Sequence, residues 1–145
     1  MTKVLNDGCS EARPVQRQAG RNRLLSGLKQ EAYDALIESS TRVRLSAGDK
    51  LSAGGDRCVH FPESGLISVT LNAARGRDTH FGFYGSEGVG SISSILRSPV
   101  SRVTEIVQQS GFARRIDERD FYRVLQLMPD VDRLLVRYAH VFMLQ

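Results

Sequence analysis

Four glycines in nine residues, Gly82, Gly85, Gly88 and Gly90, leave bare backbone around one carboxylate, Glu87. Behind them come Ser91, Ser93 and Ser94, then Arg97 and, past Pro99, Ser101 and Arg102. Unpaired backbone N–H groups at a helix start attract anions. An arginine adds a planar fork that matches two phosphate oxygens. Glycines, hydroxyls, carboxylate and arginine are thus the parts of a phosphate-gripping loop. The same glycines are also an ordinary way to leave a strand, because glycine enters left-handed turns without strain.

Other chemistries lack their residues. A metal-dependent barrel enzyme of the cupin type needs two or three histidines and a carboxylate converging inside a barrel. This chain has His60, His80 and His140, with no H-x-H pair. Cys9 and Cys58 form no C-x-x-C, which argues against a zinc or iron–sulfur site, and free thiols are expected. Cys58 reads as a small buried hydrophobe. There is no G-x-S-x-G elbow and no P-loop lysine motif, and the glycine loop runs G-x-x-G-x-G. A non-enzymatic protein without a metal is expected.

The whole chain sets the frame for that loop. At 145 residues, 41% hydrophobic and 25% charged, it has the length and composition of one soluble globular domain. No apolar run reaches a membrane span, and the N-terminus lacks the apolar stretch of a signal peptide, so a cytoplasmic protein is expected without membrane contact. The net charge is +4, with Arg13, Arg17, Arg21 and Arg23 clustered near the start. Residues 1–20 read as a flexible basic tail, or as an arm for an acidic partner. Nothing resembles a base-reading helix, so direct sequence-specific DNA binding is not expected.

From Arg21 to Leu36, Leu24, Leu25, Leu28, Ala32, Ala35 and Leu36 recur at helical spacing. Short β-type runs follow at Thr41–Leu45, Lys50–Ser52, Cys58–Phe61, Leu66–Leu71, Thr79–Tyr84, Arg102–Gln109 and Phe112–Ile116, separated by turn formers. Helix returns after Asp117, a candidate N-cap, with Phe121, Leu125 and Met128 on one face. Pro129 then opens a second helix. In it Val131, Leu135, Tyr138 and Phe142 form a heptad-like seam that Leu134 and Val141 widen. That seam fits either a cap on the domain or a dimer helix. The prediction is a mainly β domain over 21–145. It is a small double-sheet jelly-roll barrel with an N-terminal helix and two C-terminal helices, the last dimerisation-like.

On the residues NRLLSGL, RLSAGDKL, HFPESGLISV, GSEGVG and FARRIDERDFYRVLQLMPDVDRLLVRYA, the region Asn22–Gln145 resembles the effector domain of the Crp–Fnr regulators, the cyclic-nucleotide-binding fold. The resemblance implies a sensor domain in which a short helix after the glycine loop presents amides to a cyclic phosphate. It implies a glutamate on the ribose, an arginine on the phosphate, and a last helix that pairs two subunits. It also implies a following helix-turn-helix domain, before which this chain stops.

Carried over residue by residue, Gly85 fits the loop glycine and Glu87 the sugar-binding carboxylate, with Ser86 as one extra residue between them. Gly88, Val89, Gly90 and Ser91 complete the cassette. The family's arginine position falls on Ser101, with Arg102 beside it, and Arg97 is an outside candidate. Strand alternation with Val103 and Val107 inward turns Ser101 in and Arg102 out, and puts Glu105 on the inner face. A bulge near Pro99 would instead return Arg102 to the pocket. The expectation is a cyclic-nucleotide-type sensor with a degraded or retuned cassette that holds cyclic AMP or cyclic GMP weakly or not at all. The alternative is a working cyclic-nucleotide site using Glu87 and Arg102. Partners would be a small anionic effector and a second copy through the last helix, or a related regulator in a mixed dimer.

Overall fold

The computed structural model describes residues 22–51, 57–72, 76, 78–98 and 102–144. The tail over residues 1–20 lies outside them, as do Arg21, Ser52, Pro99 and Ser101. Seven strands follow the alternating apolar runs: β1 (Thr41–Leu45), β2 (Lys50–Leu51), β3 (Cys58–Pro62), β4 (Leu66–Leu71), β5 (Thr79–Tyr84), β6 (Val103–Gln109) and β7 (Gly111–Asp117). They form two antiparallel sheets, β1-β7-β3 and β2-β6-β4-β5. The chain passes from one sheet to the other at Ser110, between β6 and β7.

The inner faces of both sheets make the core. Val59, Phe61, Ile67, Val69, Val107 and Ile116 are at most 1% exposed. In β6 and β7 register is set by this burial, since a slip of one residue would turn Val107 and Ile116 away from the core. Val59 sits opposite Ile116, and Ile67 opposite Val107. Two bulges bend the four-stranded sheet. One lies between Val69 and Thr70 in the pairing of β4 with β5, and the other between Leu66 and Ile67 in the pairing with β6.

Helices close the two ends. The helix expected from Arg21 is two pieces, α1 (Arg23–Ser26) and α2 (Gln30–Glu38), because the chain turns at Gly27. Leu25, Leu28, Ala32, Tyr33 and Leu36 of this segment are buried. The short α3 (Ile92–Ile95) follows the glycine loop, and α4 (Glu118–Leu127) and α5 (Pro129–Met143) end the domain. Pro129 starts α5, where its missing N–H costs nothing. Asp117 stands at the start of α4 but its side chain does not cap the helix. Its Oδ1 accepts instead from the buried Cys58 Sγ at 3.4 Å.

The seam expected to pair two subunits is placed differently. Val131, Leu135 and Phe142 are 4%, 1% and 5% exposed within a single chain, and Tyr138 is half-buried. These residues pack α5 onto its own barrel, so the capping reading of the seam accounts for them. Phe142 stacks on Tyr138 and tilts against Phe81 of β5. Exposed on α5 are Leu134, Val136, Val141 and Met143, with Leu144 at its end.

Candidate functional site

The glycine loop Gly85–Ser91 leaves β5 and enters α3, and most of its amides have a partner inside the domain. Gly85 N–H donates to Glu87 Oε1 at 3.0 Å, and Gly88 N–H to Gly85 O at 3.1 Å. Gly90 N–H donates to His60 O at 2.9 Å, which ties the loop to β3. Val89 N–H meets the Tyr138 hydroxyl from α5. From the N-terminal side, Asn22 Nδ2 donates to Gly88 O at 2.7 Å and Pro62 O at 2.9 Å, while Arg23 N–H donates to Ser86 O at 2.6 Å.

Two of the glycines are required by close approach. A Cβ on Gly88 would collide with the Tyr138 hydroxyl, and a Cβ on Gly90 with the Tyr84 hydroxyl. The loop is packed against aromatic hydroxyls from two directions, and only bare backbone fits.

The start of α3 holds the decisive contact. Ser91, at φ 60° and ψ 53°, donates its N–H to Glu105 Oε1 at 2.8 Å and its Oγ to Cys58 O at 2.6 Å. Glu105 comes from the middle of β6, turned inward with Val107, and is 4% exposed. Tyr84, 1% exposed, brings its hydroxyl against the same carboxylate. Burial raises the Glu105 pKa above the usual carboxylate range, and the Ser91 amide and Tyr84 hydroxyl pull it back part of the way. Tyr84 is raised well above its ordinary value, by burial first and then by the neighbouring Glu105. On the adjacent β3, burial presses His60 down to about 4, helped by the charge of Arg115.

The predicted site residues therefore separate. Gly85, Gly88, Val89, Gly90 and Ser91 form one loop as expected. Glu87 is exposed and its carboxylate folds back on the Gly85 amide, holding the loop. Arg102 is exposed at the entry to β6, where its carbonyl accepts from Asn72 N–H at 2.7 Å. The shift in the β6 pairing lies at the opposite end of the strand, beside Leu66, and does not turn Arg102 inward. Arg97 is committed elsewhere, pairing with Asp132 on α5 at 3.2 Å. Sequence reading placed Glu105 on the inner face as a blemish in the pattern. It missed Tyr84, Tyr138 and Asn22 as partners of the loop, since nothing in their local spacing distinguishes them from core and cap residues.

Beside the loop lies a cavity of about 500 Å³ between the four-stranded sheet, α3 and the end of α5. Val69, Phe81, Ile92, Leu96, Val103 and Met143 line it, together with Arg102. Among the described residues no group of histidine, cysteine and carboxylate side chains could hold a metal ion. Among them, too, no helix is long and apolar enough to cross a membrane.

Two packed sheets, a glycine loop leading into a short helix, and a long closing helix can be set beside known folds. The N-terminal domain of a transcriptional regulator from Streptomyces coelicolor A3(2) is 21% identical, with a TM-score of 0.60, covering 83% of this chain and 85% of that one. A CooA mutant from Carboxydothermus hydrogenoformans gives 16% identity and a TM-score of 0.65 over 88% of this chain and 82% of that one. The catabolite activator protein of Thermus thermophilus gives 16% and 0.62, over 83% of this chain and 55% of that one. This is the cyclic-nucleotide-binding jelly-roll fold. Its neighbours in structure are domains of Crp–Fnr-type regulators. No protein-family model and no curated protein matches the chain. The loop Gly85–Ser91 with α3 is the segment on which the sequence put the phosphate cassette.

Proposed function

We propose that this chain is a non-enzymatic sensor domain whose phosphate cassette is filled from within, so that it does not hold cyclic AMP or cyclic GMP tightly. The observation that carries this reading is the 2.8 Å bond from the Ser91 amide to the buried Glu105 carboxylate. An internal acid occupies the amide that a cyclic phosphate would need. A phosphate brought to that amide must displace Glu105 or face it. Charged or protonated, the carboxylate oxygen takes the donor that a phosphate oxygen would use, and when charged it also repels the phosphate. The inward cation that would offset it is not supplied by Arg102, which is exposed. The regulators that share the fold support a regulatory role in place of catalysis.

Calorimetric titration with cyclic AMP and cyclic GMP tests the reading. The native chain should give no saturable heat at low-micromolar ligand, and Glu105→Ala should bind more tightly than the native chain. Low-micromolar binding by the native chain, lost in Arg102→Ala, would restore the working-cassette alternative.

The exposed side of α5 supports a second part of the reading, a homodimer. Leu134 and Val141 on α5 and Leu144 at its end follow one another at seven and three residues, all exposed, along the flank of the helix beside the buried Val131, Leu135 and Phe142. Self-pairing through this stripe covers apolar surface that the domain leaves in water.

A further inference from the structure

Resting on the sensor-domain reading, we infer that the 500 Å³ cavity takes a small apolar carboxylic acid, with its hydrocarbon or aryl body inside and its carboxylate at Arg102. The volume falls in the range of pockets that enclose small organic molecules. Val69, Phe81, Ile92, Leu96 and Val103 make the walls hydrocarbon, on three strands of one sheet and on the face of α3 turned toward it. Such walls offer a sugar or a purine edge few hydrogen-bonding partners, and a buried polar group left unpaired is costly. They suit an alkyl or aromatic body.

Charge selects the head group. Among the described residues Arg102 is the one charged residue of the lining, and no acidic side chain among them lines the cavity with it. Among the described residues the Arg102 guanidinium has no ion pair or hydrogen bond, and it is exposed. A free guanidinium at the edge of a hydrocarbon cavity favours a carboxylate, which its fork can hold through two parallel bonds. The edge of the cavity is itself apolar and wet. Leu71, Leu96 and Met143 are 40%, 42% and 49% exposed. A ligand body that covers them removes that surface from water, whereas a fully polar anion would leave it bare.

The cavity adjoins the filled cassette and shares α3 with it, and the experiment tells the two readings apart. The purified chain is titrated with decanoate, 4-phenylbutyrate, decanol and cyclic AMP by calorimetry, with methyl NMR on the same samples. At least one acid should bind saturably in the micromolar range, shifting the methyl signals of Val69, Leu71, Ile92, Leu96, Val103 and Met143. Arg102→Ala, at an exposed position, should keep the native circular dichroism and weaken the acid ten-fold or more, with decanol unchanged. Ile92→Trp should fill the cavity and remove acid and alcohol alike. No saturable binding of either acid would overturn the inference, as would acid binding that Arg102→Ala leaves untouched or decanol binding tighter than decanoate. Cyclic AMP reports on the cassette. Tight cyclic AMP binding sinks the filled-cassette reading, whereas two silent acids with no cyclic AMP binding sink only the cavity inference.

Discussion

Glu105 and His60 both sit beside the glycine loop, both are buried, and burial moves their pKa values in opposite directions. Their effects on stability have opposite signs. His60 is lowered from 6.5 to about 4, so between those values the unfolded chain binds the proton that the native chain refuses. Stability conferred by neutral His60 is therefore full above pH 6.5 and lost as pH falls toward 4, by about 3 kcal/mol for a shift of this size. Glu105 is raised, so its native form keeps a proton that the unfolded chain gives up. Its contribution is full below the ordinary carboxylate range and declines as pH rises through its elevated value. Urea midpoints from pH 4 to pH 8 check both. His60→Phe should flatten the acid limb. Glu105→Gln, which keeps an acceptor for the Ser91 amide, should remove the decline at higher pH and leave the variant at least as stable as the native chain at pH 8. A Glu105→Gln variant that loses stability at pH 8 would show that the charged carboxylate is preferred. Both residues were visible in the sequence, but only Glu105 carried a signal, as a lone carboxylate of inward parity in an apolar strand. His60 lies in the fully buried β3, where no alternation remains to read.

Among the elements, strands were the most legible. β1, β4 and β5 have the limits that their alternation and flanking turns predict, β3 and β6 differ by one residue at one end, and β7 by one residue at each end. What could not be read was how the short α1 serves the loop. Asn22 looked like the edge of a helix, and it does cap α1 by accepting from Leu25 N–H at 3.0 Å. Its Nδ2 also closes two carbonyls forty and sixty-six residues away, at Pro62 and Gly88. Such contacts have no local periodicity and appear only when the elements are assembled. Asn22→Ala removes a cap worth about 1 kcal/mol and strands two buried carbonyls. The expected loss is about 2–4 kcal/mol in chemical denaturation. Amide exchange should quicken at Gly88, Gly90 and Ser91 more than in β4, because the loop loses its tie to α1 before the sheet is touched. Uniform acceleration across loop and sheet would instead mean that Asn22 serves global stability only.

For the whole molecule, α5 carries a buried and an exposed set of apolar residues, and sequence periodicity could not tell them apart. Both repeat at helical spacing, and both contain branched or aromatic residues. The distinction lies in the barrel, whose open side takes Val131, Leu135, Ala139 and Phe142 and leaves Leu134, Val141 and Leu144 outside. If the outer stripe pairs two copies, the inner and outer faces must fail differently when cut. Val141→Glu places a charge on a position that is 55% exposed and should leave the fold intact, with native circular dichroism and an unchanged unfolding midpoint at low protein concentration. By light scattering the native chain should be a dimer and the variant a monomer, because two such carboxylates would face each other across the two-fold axis. Phe142→Ala, cut from a position that is 5% exposed, should instead cost about 3–5 kcal/mol and lower the unfolding midpoint before it changes the oligomer. A native chain that runs as a monomer at high micromolar concentration removes the dimer. A Val141→Glu variant that remains dimeric moves the interface off the stripe and onto another surface of the domain.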